Sequence, residues 1–526
     1  MLTGPRRRRL LLVAFTLILI LGAIFLSIGT RITPHVRDRA AAALKARYNS
    51  DVDLTSLQVR IFPRPEILGT GLTLRHNGRT DIAPLIRIES YSASTGLWAL
   101  MSSPLRLKKV ELDRLEISIP PGGVHSSDSE SAGDRVTSKQ PAAVSSSAAP
   151  SRLIIDEIVS RTATLEIVSR QRGKLPRVFE IHNLVMHRVG DGGGATFEAA
   201  LTNPKPRGEI TTHGTFGPWQ TEEPRQTPLR GEYAFKDANL DTIKGIAGTL
   251  ASSGAYSGVL ERIEVQGETH TPDFSIDIAA QPVPLKTRFH AIVDGTNGDT
   301  WLERVEARVV ETLVVARGAV VRTKDVKGRR ISLEVEIDDG RIEDVLTLAL
   351  KAAKPLMTGR VRLRTKFLLP AGDEDVIDKL ELSGTFSLDQ ARFSNMNIQE
   401  RLNTLSQRGK GDTVNDGPSV VSRLSGTFTL REGTLTFADL SFGVPGAIVQ
   451  LAGTYDVKRE VLDLRGHLLL DATLAQATSG WKAVAARVAQ PLFRRPGGGS
   501  KLPIRISGPR EKPDFGLDVR RALRPG

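Results

Sequence analysis

Nine histidines are scattered along the chain, and none stands where a second could share a metal ion. His182 and His187 are an odd number of residues apart, so on a strand they face opposite sides. No pair at i, i+4 falls on a helical pattern, so no zinc site is expected. Asp373-Glu374-Asp375 follows Pro370-Ala371-Gly372. It has the oxygens for calcium, but an acidic turn is the simpler reading. Gly190 to Gly194 lacks the Lys-Ser/Thr and the helix start of a phosphate loop. There is no Gly-x-Ser-x-Gly elbow and no cysteine, so neither nucleophile is available in its usual setting. Paired carboxylates on distant strands stay open as a route to sugar hydrolysis, though no pattern points to them. The expectation is a non-enzymatic chain with no catalytic residue, no cofactor and no metal.

The chemistry left is that of apolar surfaces. Leu10 to Ile28 is one unbroken apolar run behind Arg6-Arg7-Arg8-Arg9. Nineteen residues at a helical rise give roughly 28 Å, enough to cross a bilayer core once. The arginines favour a cytoplasmic N-terminus, with the bulk of the chain across the membrane. Leu10, Phe15, Leu19, Ile24 and Ile28 are the expected anchor residues. A cleaved signal peptide is the alternative, but the run is long and no small-x-small site follows it. The chain's formal charge is +13, and it stays basic without those arginines. An exported basic surface suits anionic headgroups, and an evenly spread solubility charge is equally compatible. Aromatics are 5% of residues, so base-stacking platforms, and nucleic acid as a partner, are not expected.

Length implies several domains or one extended unit. Thr33 and Pro34 suit a helix start, followed by Val36, Ala40, Leu44 and Tyr48 at i+4 spacing. From Val52 the period changes to two, as in Val59-Arg60-Ile61-Phe62 and Leu112 to Ile119. Pro120 to Pro150 is rich in Ser, Ala, Gly and Pro. It reads as a flexible loop or linker, and deletion of Ser126 to Ser147 is expected to leave folding nearly unchanged. Beyond it Leu333 to Ile337 and Val361 to Phe367 alternate cleanly, with turns expected at Gly192 to Gly194, Asp294-Gly295, Asn297-Gly298 and Asp339-Gly340. Helices are expected around Leu240 to Leu250, Ile342 to Ala349, Ile398 to Leu405 and Trp481 to Leu492. The phrase Leu382-Ser-Gly-Thr-Phe-Ser-Leu388 recurs as Leu424-Ser-Gly-Thr-Phe-Thr-Leu430, and loosely at Leu451 to Val457. Gly267 with Pro272-Asp273-Phe274 is matched by Gly508 with Pro513-Asp514-Phe515. Such recurrence suggests repeating β units that bury their faces on one another. Alternating strands would produce one continuous apolar face that needs a sheet, helices or a ligand to cover it. Val335, Val361, Leu363, Phe367, Leu435 and Phe437 are the candidate lining residues.

Together the basic start, the single apolar run, the helix from Thr33, Val59 to Pro65, Val444-Pro445-Gly446-Ala447 and Leu451 to Tyr455 resemble the AsmA-like proteins of Gram-negative envelopes. The closing phrases Leu462 to Gly466, Pro503 to Gly508 and Lys512 to Phe515 resemble that family's C-terminal region. The resemblance covers most of the chain and rests on structural phrases. It implies a mainly β fold with a few helices: one N-terminal transmembrane helix and an elongated, twisted antiparallel β-groove of repeating units, like the chorein-type lipid bridges. The implied division is 1–30 basic start and anchor, 31–119 N-terminal helix and strands, 120–150 linker, 151–380 groove body and 381–526 C-terminal region. It further implies a single-pass inner-membrane protein with a periplasmic body that binds or transfers membrane lipid, phospholipid or anionic lipid, for outer-membrane supply. Envelope proteins would be its other partners. The rival readings are a non-enzymatic assembly factor or scaffold for outer-membrane proteins, acting through strand edges, and an exported hydrolase.

Overall fold

A computed structural model describes residues 31–517 apart from 32, 43, 46–49, 62–63, 77–83, 97, 100–103, 120–152, 168–176, 221–222, 278–280, 324–325, 351–354, 395, 413–419, 474–497 and 511. The apolar run 10–28, its five anchor residues and the expected helix at 481–492 lie outside them. No helix among the described residues is long and apolar enough to cross a membrane.

The fold is mainly β, and the chain divides into two units. The first comprises Met1–Ala238, Ala251–Val265 and Val293–Gly298; the second comprises Asn239–Leu250, Gln266–Ile292 and Asp299–Gly526. Along the chain the strands are β1 (Ser50–Arg60), β2 (Glu66–His76), β3 (Ile86–Ser94), β4 (Leu105–Ile119), β5 (Leu153–Ser160), β6 (Ala163–Ile167), β7 (Arg177–Val189), β8 (Ala195–Pro204), β9 (Arg207–Phe216), β10 (Pro228–Asn239), β11 (Ile246–Ala247), β12 (Thr249–Val259) and β13 (Arg262–Ile276). There follow β14 (Val283–Val293), β15 (Thr300–Val309), β16 (Thr312–Arg322), β17 (Arg329–Arg341), β18 (Met357–Leu369), β19 (Glu381–Phe393), β20 (Ser422–Arg431), β21 (Thr434–Val444), β22 (Ala447–Asp456), β23 (Val461–Leu470), β24 (Ser500–Pro509) and β25 (Asp514–Leu517).

In the first unit β1 to β4 form an antiparallel meander. Helical residues 33–42 lie on it. Arg37 Nη2 donates to Leu54 O at 2.9 Å, and Val59 N donates to Thr33 Oγ1 at 3.1 Å. These contacts occupy backbone groups along β1, which blunts a free strand edge. Arg31 is already helical, so Thr33 lies inside the helix and not at its cap. Val36 is buried with Leu57, Val59, Ile61, Ile67, Leu105 and Leu153.

Then the pattern changes. β4 pairs in parallel with β5 and with β6. Leu105 stands opposite Leu153, and Ile119 stands opposite Ile167. Parallel neighbours need a crossover that carries the chain back along the whole strand. Residues 120–152, which include the expected linker, supply that return. Parallel pairing asks for a long return, and the expectation that Ser126 to Ser147 can be removed without loss of stability is tested against that demand by the deletion itself.

In the second unit β15 to β25 are antiparallel, each paired with its chain neighbours. The turn from β20 to β21 uses Glu432 (φ 49°) and Gly433 (φ 69°), both left-handed, the geometry that matches strand twist in two-residue hairpins. Among the described residues three helices interrupt the strands: α1 (Ile342–Ala349), α2 (Val376–Lys379) and α3 (Met396–Lys410). The first and third agree with the sequence pattern. The helix expected at Leu240 to Leu250 does not form. Leu240–Thr242 is one 3-10 turn capped by Asn239, and β11 and β12 follow. Gly245 and Gly248, at φ 99° and 126°, break the helical run. Asp339-Gly340 is likewise not a turn. It sits inside β17 at a register shift, because Gly340 lies under Thr312, Ile337 and Val361 with no room for a Cβ.

Candidate functional site

Directly opposed residues of antiparallel strands share a face, so the registers of the second unit can be followed from strand to strand. Val335, Thr365, Gly384, Phe428, Phe437, Gly453, Leu464 and Ile506 stand in succession from β17 to β24. Two residues along each strand, Leu333, Phe367, Leu382, Leu430, Leu435, Tyr455 and Leu462 form a second row from β17 to β23. On the other side of the first row run Ile337, Leu363, Phe386, Gly426, Leu440 and Leu451. Beyond it are Val361, Leu388, Leu424, Phe442, Val449, Leu468 and Leu502. Eight strands and four rows make an apolar face of about 34 Å by 20 Å. All six candidate lining residues lie on it.

The repeated phrase explains its centre. β19 and β20 carry the two copies, and they pair with each other. Leu382 opposes Leu430, Gly384 opposes Phe428, Phe386 opposes Gly426 and Leu388 opposes Leu424. Each phenylalanine therefore lies against the other strand's glycine, with ring centroids 6.1 Å apart. The second recurring phrase is not a repeated unit. Its first copy runs through β13, while its second turns from β24 into β25.

Helices cover one end of this face. Ile342 and Val345 of α1 pack on Ile337, Val361 and Leu388; Leu405 of α3 packs on Val444, Ala447 and Leu470. Asp344 holds α1 down, accepting from Thr312 Oγ1 at 2.8 Å and Glu311 N at 3.2 Å. Gln399 holds α3, accepting from Phe393 N at 3.1 Å and donating to Val420 O at 2.9 Å. Val361 is accordingly 4% exposed, in a small closed core. Val335, Leu363, Phe367, Leu435 and Phe437 are half-buried, Leu363 at the border of the cluster that α1 covers.

The opposite face is polar and ion-paired. Arg364 meets Glu336 at 2.7 Å, Arg362 meets Asp389 at 3.4 Å, and Asp463 binds both Arg505 (3.0 Å) and Arg465 (3.3 Å). Burial pushes the Asp463 carboxyl up, but its two arginines outweigh that and hold it below the usual carboxylate range. A shallow hollow of about 590 Å³ is lined by Arg317, Glu334, Lys366, Glu381 and Arg431, which register places on this polar side.

A hollow of about 610 Å³ in the first unit is lined by Ser56, Thr70, Ser90, Glu111 and Asp113. The hydrogen bond from Lys109 at 2.7 Å holds Glu111 low, whereas a general acid needs a raised pKa. Asp113 instead accepts from Thr162 Oγ1 at 3.0 Å. Asp373 and Asp375 are an acidic turn neutralised by Lys327 and Lys244, each at 2.9 Å. Among the described residues no group of acidic residues or histidines could hold a metal ion. His182 meets Thr202 Oγ1 at 2.6 Å, and His187 lies across the ladder from Glu157.

No protein-family model, curated protein or solved structure matches this chain.

Proposed function

We propose that the chain is a non-enzymatic lipid-binding and lipid-transfer protein of the AsmA-like kind, held in the inner membrane by residues 10–28 with its β-groove in the periplasm, where it supports outer-membrane lipid supply. The observation that carries this reading is the continuous apolar face of β17 to β24, on which, among the described residues, helices pack at one end. Acyl chains suit it, because the rows are aliphatic with a few phenylalanines. Each buried CH₂ contributes about 0.8 kcal/mol. Rows that repeat from strand to strand offer a similar gain at every step, so a chain could slide without a deep trap. A scaffold acting by strand addition would draw on β25, where Phe515 is 64% exposed.

The test is the phospholipid content of the purified full chain by mass spectrometry. Val335→Asp, Leu363→Asp and Leu435→Asp should stay folded and carry less lipid, since an aspartate on an incompletely covered face can reach water. Val361→Asp should unfold the unit, because a charge in its closed core costs several kcal/mol. Folded variants with undiminished lipid would sink the groove reading, and a chain that carries no lipid would do the same.

A further inference from the structure

The polar face changes character at the end of the second unit where α1 and α3 lie. Arg423, Gly443, Ile448, Leu469 and Lys501 stand directly opposite one another across β20 to β24. Ile448 is 41% exposed, Leu469 is half-buried, and the space above Gly443 is open. A cation therefore stands at each end of an apolar strip about 19 Å long. Arg392, at the end of β19, and Val421, just before β20, extend it, and both are exposed. α3 starts and ends at the same strand ends and turns Met396, Arg401, Arg408 and Lys410 to solvent. Elsewhere on this face Arg362, Arg364 and Arg505 are matched by carboxylates. The strip combines apolar side chains with cations that can meet a second set of charges.

We propose that this end of the second unit docks on the surface of an anionic bilayer. Ile448 and Leu469 enter the boundary between headgroups and acyl chains, and Arg392, Arg423 and Lys501 meet lipid phosphates. Alternating apolar and basic groups on one surface are the chemistry of interfacial binding. An acidic protein would account for the cations but not for the exposed isoleucine between them. The proposal goes beyond the groove reading, which requires no particular headgroup and no particular end.

The experiment uses the full chain held in phosphatidylcholine nanodiscs and mixed with phosphatidylcholine vesicles, with or without about a third phosphatidylglycerol. Capture should require the anionic lipid. Each cation near such a surface contributes about a factor of five. The triple variant Arg392→Gln, Arg423→Gln, Lys501→Gln should therefore lose of the order of a hundredfold in apparent affinity. A control triple with the same charge change, Arg317→Gln, Arg330→Gln, Lys366→Gln, lies on the same face toward the other strand ends and should change capture less than twofold. Ile448→Ser should weaken capture about fivefold. Equal losses in both triples, no loss in the first, no effect of Ile448→Ser, or equal capture of neutral vesicles would each overturn the proposal. Lipid content by mass spectrometry on the same variants should not change, so failure here is distinct from failure of the groove reading.

Discussion

Deletion of Ser126 to Ser147 tests the parallel step in the first unit. From Ile119 back to Leu105, beside which Leu153 pairs, is fourteen residues along β4. At about 3.3 Å each that is roughly 46 Å. Residues 120–152 supply thirty-three residues for the return. The deletion leaves eleven, so that the steps from Ile119 to Leu153 reach roughly 40–43 Å at full extension. Arg114, at φ 48°, bends β4, so 46 Å is the upper bound on that span; the remnant would still have to run almost straight while stepping sideways to the next strand. The pairs Leu105–Leu153 and Arg106–Ile154 then have to open. Leu105 and Leu153 are both buried in the core with Val36 and Ile67. Uncovering them costs about 3–5 kcal/mol, and at about 2–4 °C per kcal/mol for a unit of this size Tm should fall by about 6–20 °C. A Gly-Ser segment of the original length should restore Tm to within about 1 °C, because loop entropy depends on length and not on sequence. The assays are thermal unfolding and hydrogen exchange at Leu153 and Ile154. A deletion variant with unchanged Tm and full protection at those amides would refute the parallel pairing.

Other outcomes follow from the second unit. Gly384→Ala places a Cβ 2.2 Å from Arg364 O and 2.8 Å from Thr365 Cα. It should cost about 1–3 kcal/mol in urea unfolding, and a neutral result would remove the Phe428–Gly384 contact from the account. Asp344→Ala removes the 2.8 Å acceptor of the buried Thr312 hydroxyl and the acceptor of Glu311 N, leaving the hydroxyl only Arg341 O at 3.4 Å; it should cost about 1–3 kcal/mol, with the loss read as a lower urea midpoint and earlier amide exchange in α1. Asp463 has a folded pKa below its unfolded one, so its contribution is full above about pH 4 and is lost as pH falls through the folded value. It is solvent-exposed, so this amounts to at most about 1 kcal/mol. Asp463→Asn should narrow the stability difference between pH 6 and pH 3 by that much, and an unchanged difference would show that its arginines do not matter.

Period-two alternation in Leu333 to Ile337 and Val361 to Phe367 was enough to place those residues on one face, because side-chain direction on a strand is purely local. α1 and α3 were legible for the same reason at period 3.6. What alternation cannot reveal is the partner of each strand. That is why the repeated phrase suggested stacked units when its two copies in fact face each other, glycine against phenylalanine. Phe428, which shares the face, was missed as a candidate although the second copy of the phrase contained the signal. Val361 could not be told from Leu363, because its burial comes from α1, a contact set by the fold and not by the strand's pattern. The failed helix at Leu240 to Leu250 kept its apolar spacing, but two glycines at positive φ outweighed it. The parallel step was invisible, because a crossover is defined by where its ends pair and not by its composition.

The meander of β15 to β25 has a consequence for how such a sheet can change. Each strand answers only to its two neighbours in the chain, so contacts stay short in sequence and folding can spread hairpin by hairpin. Adding or removing one hairpin would change the width of the apolar face by about 10 Å, with every remaining register intact. A single strand could not be gained or lost in this way. It would send all later strands in the opposite direction and move the helical connections to the other end. Growth by twos is therefore the permitted step, and the face behaves as a ruler graduated in hairpins.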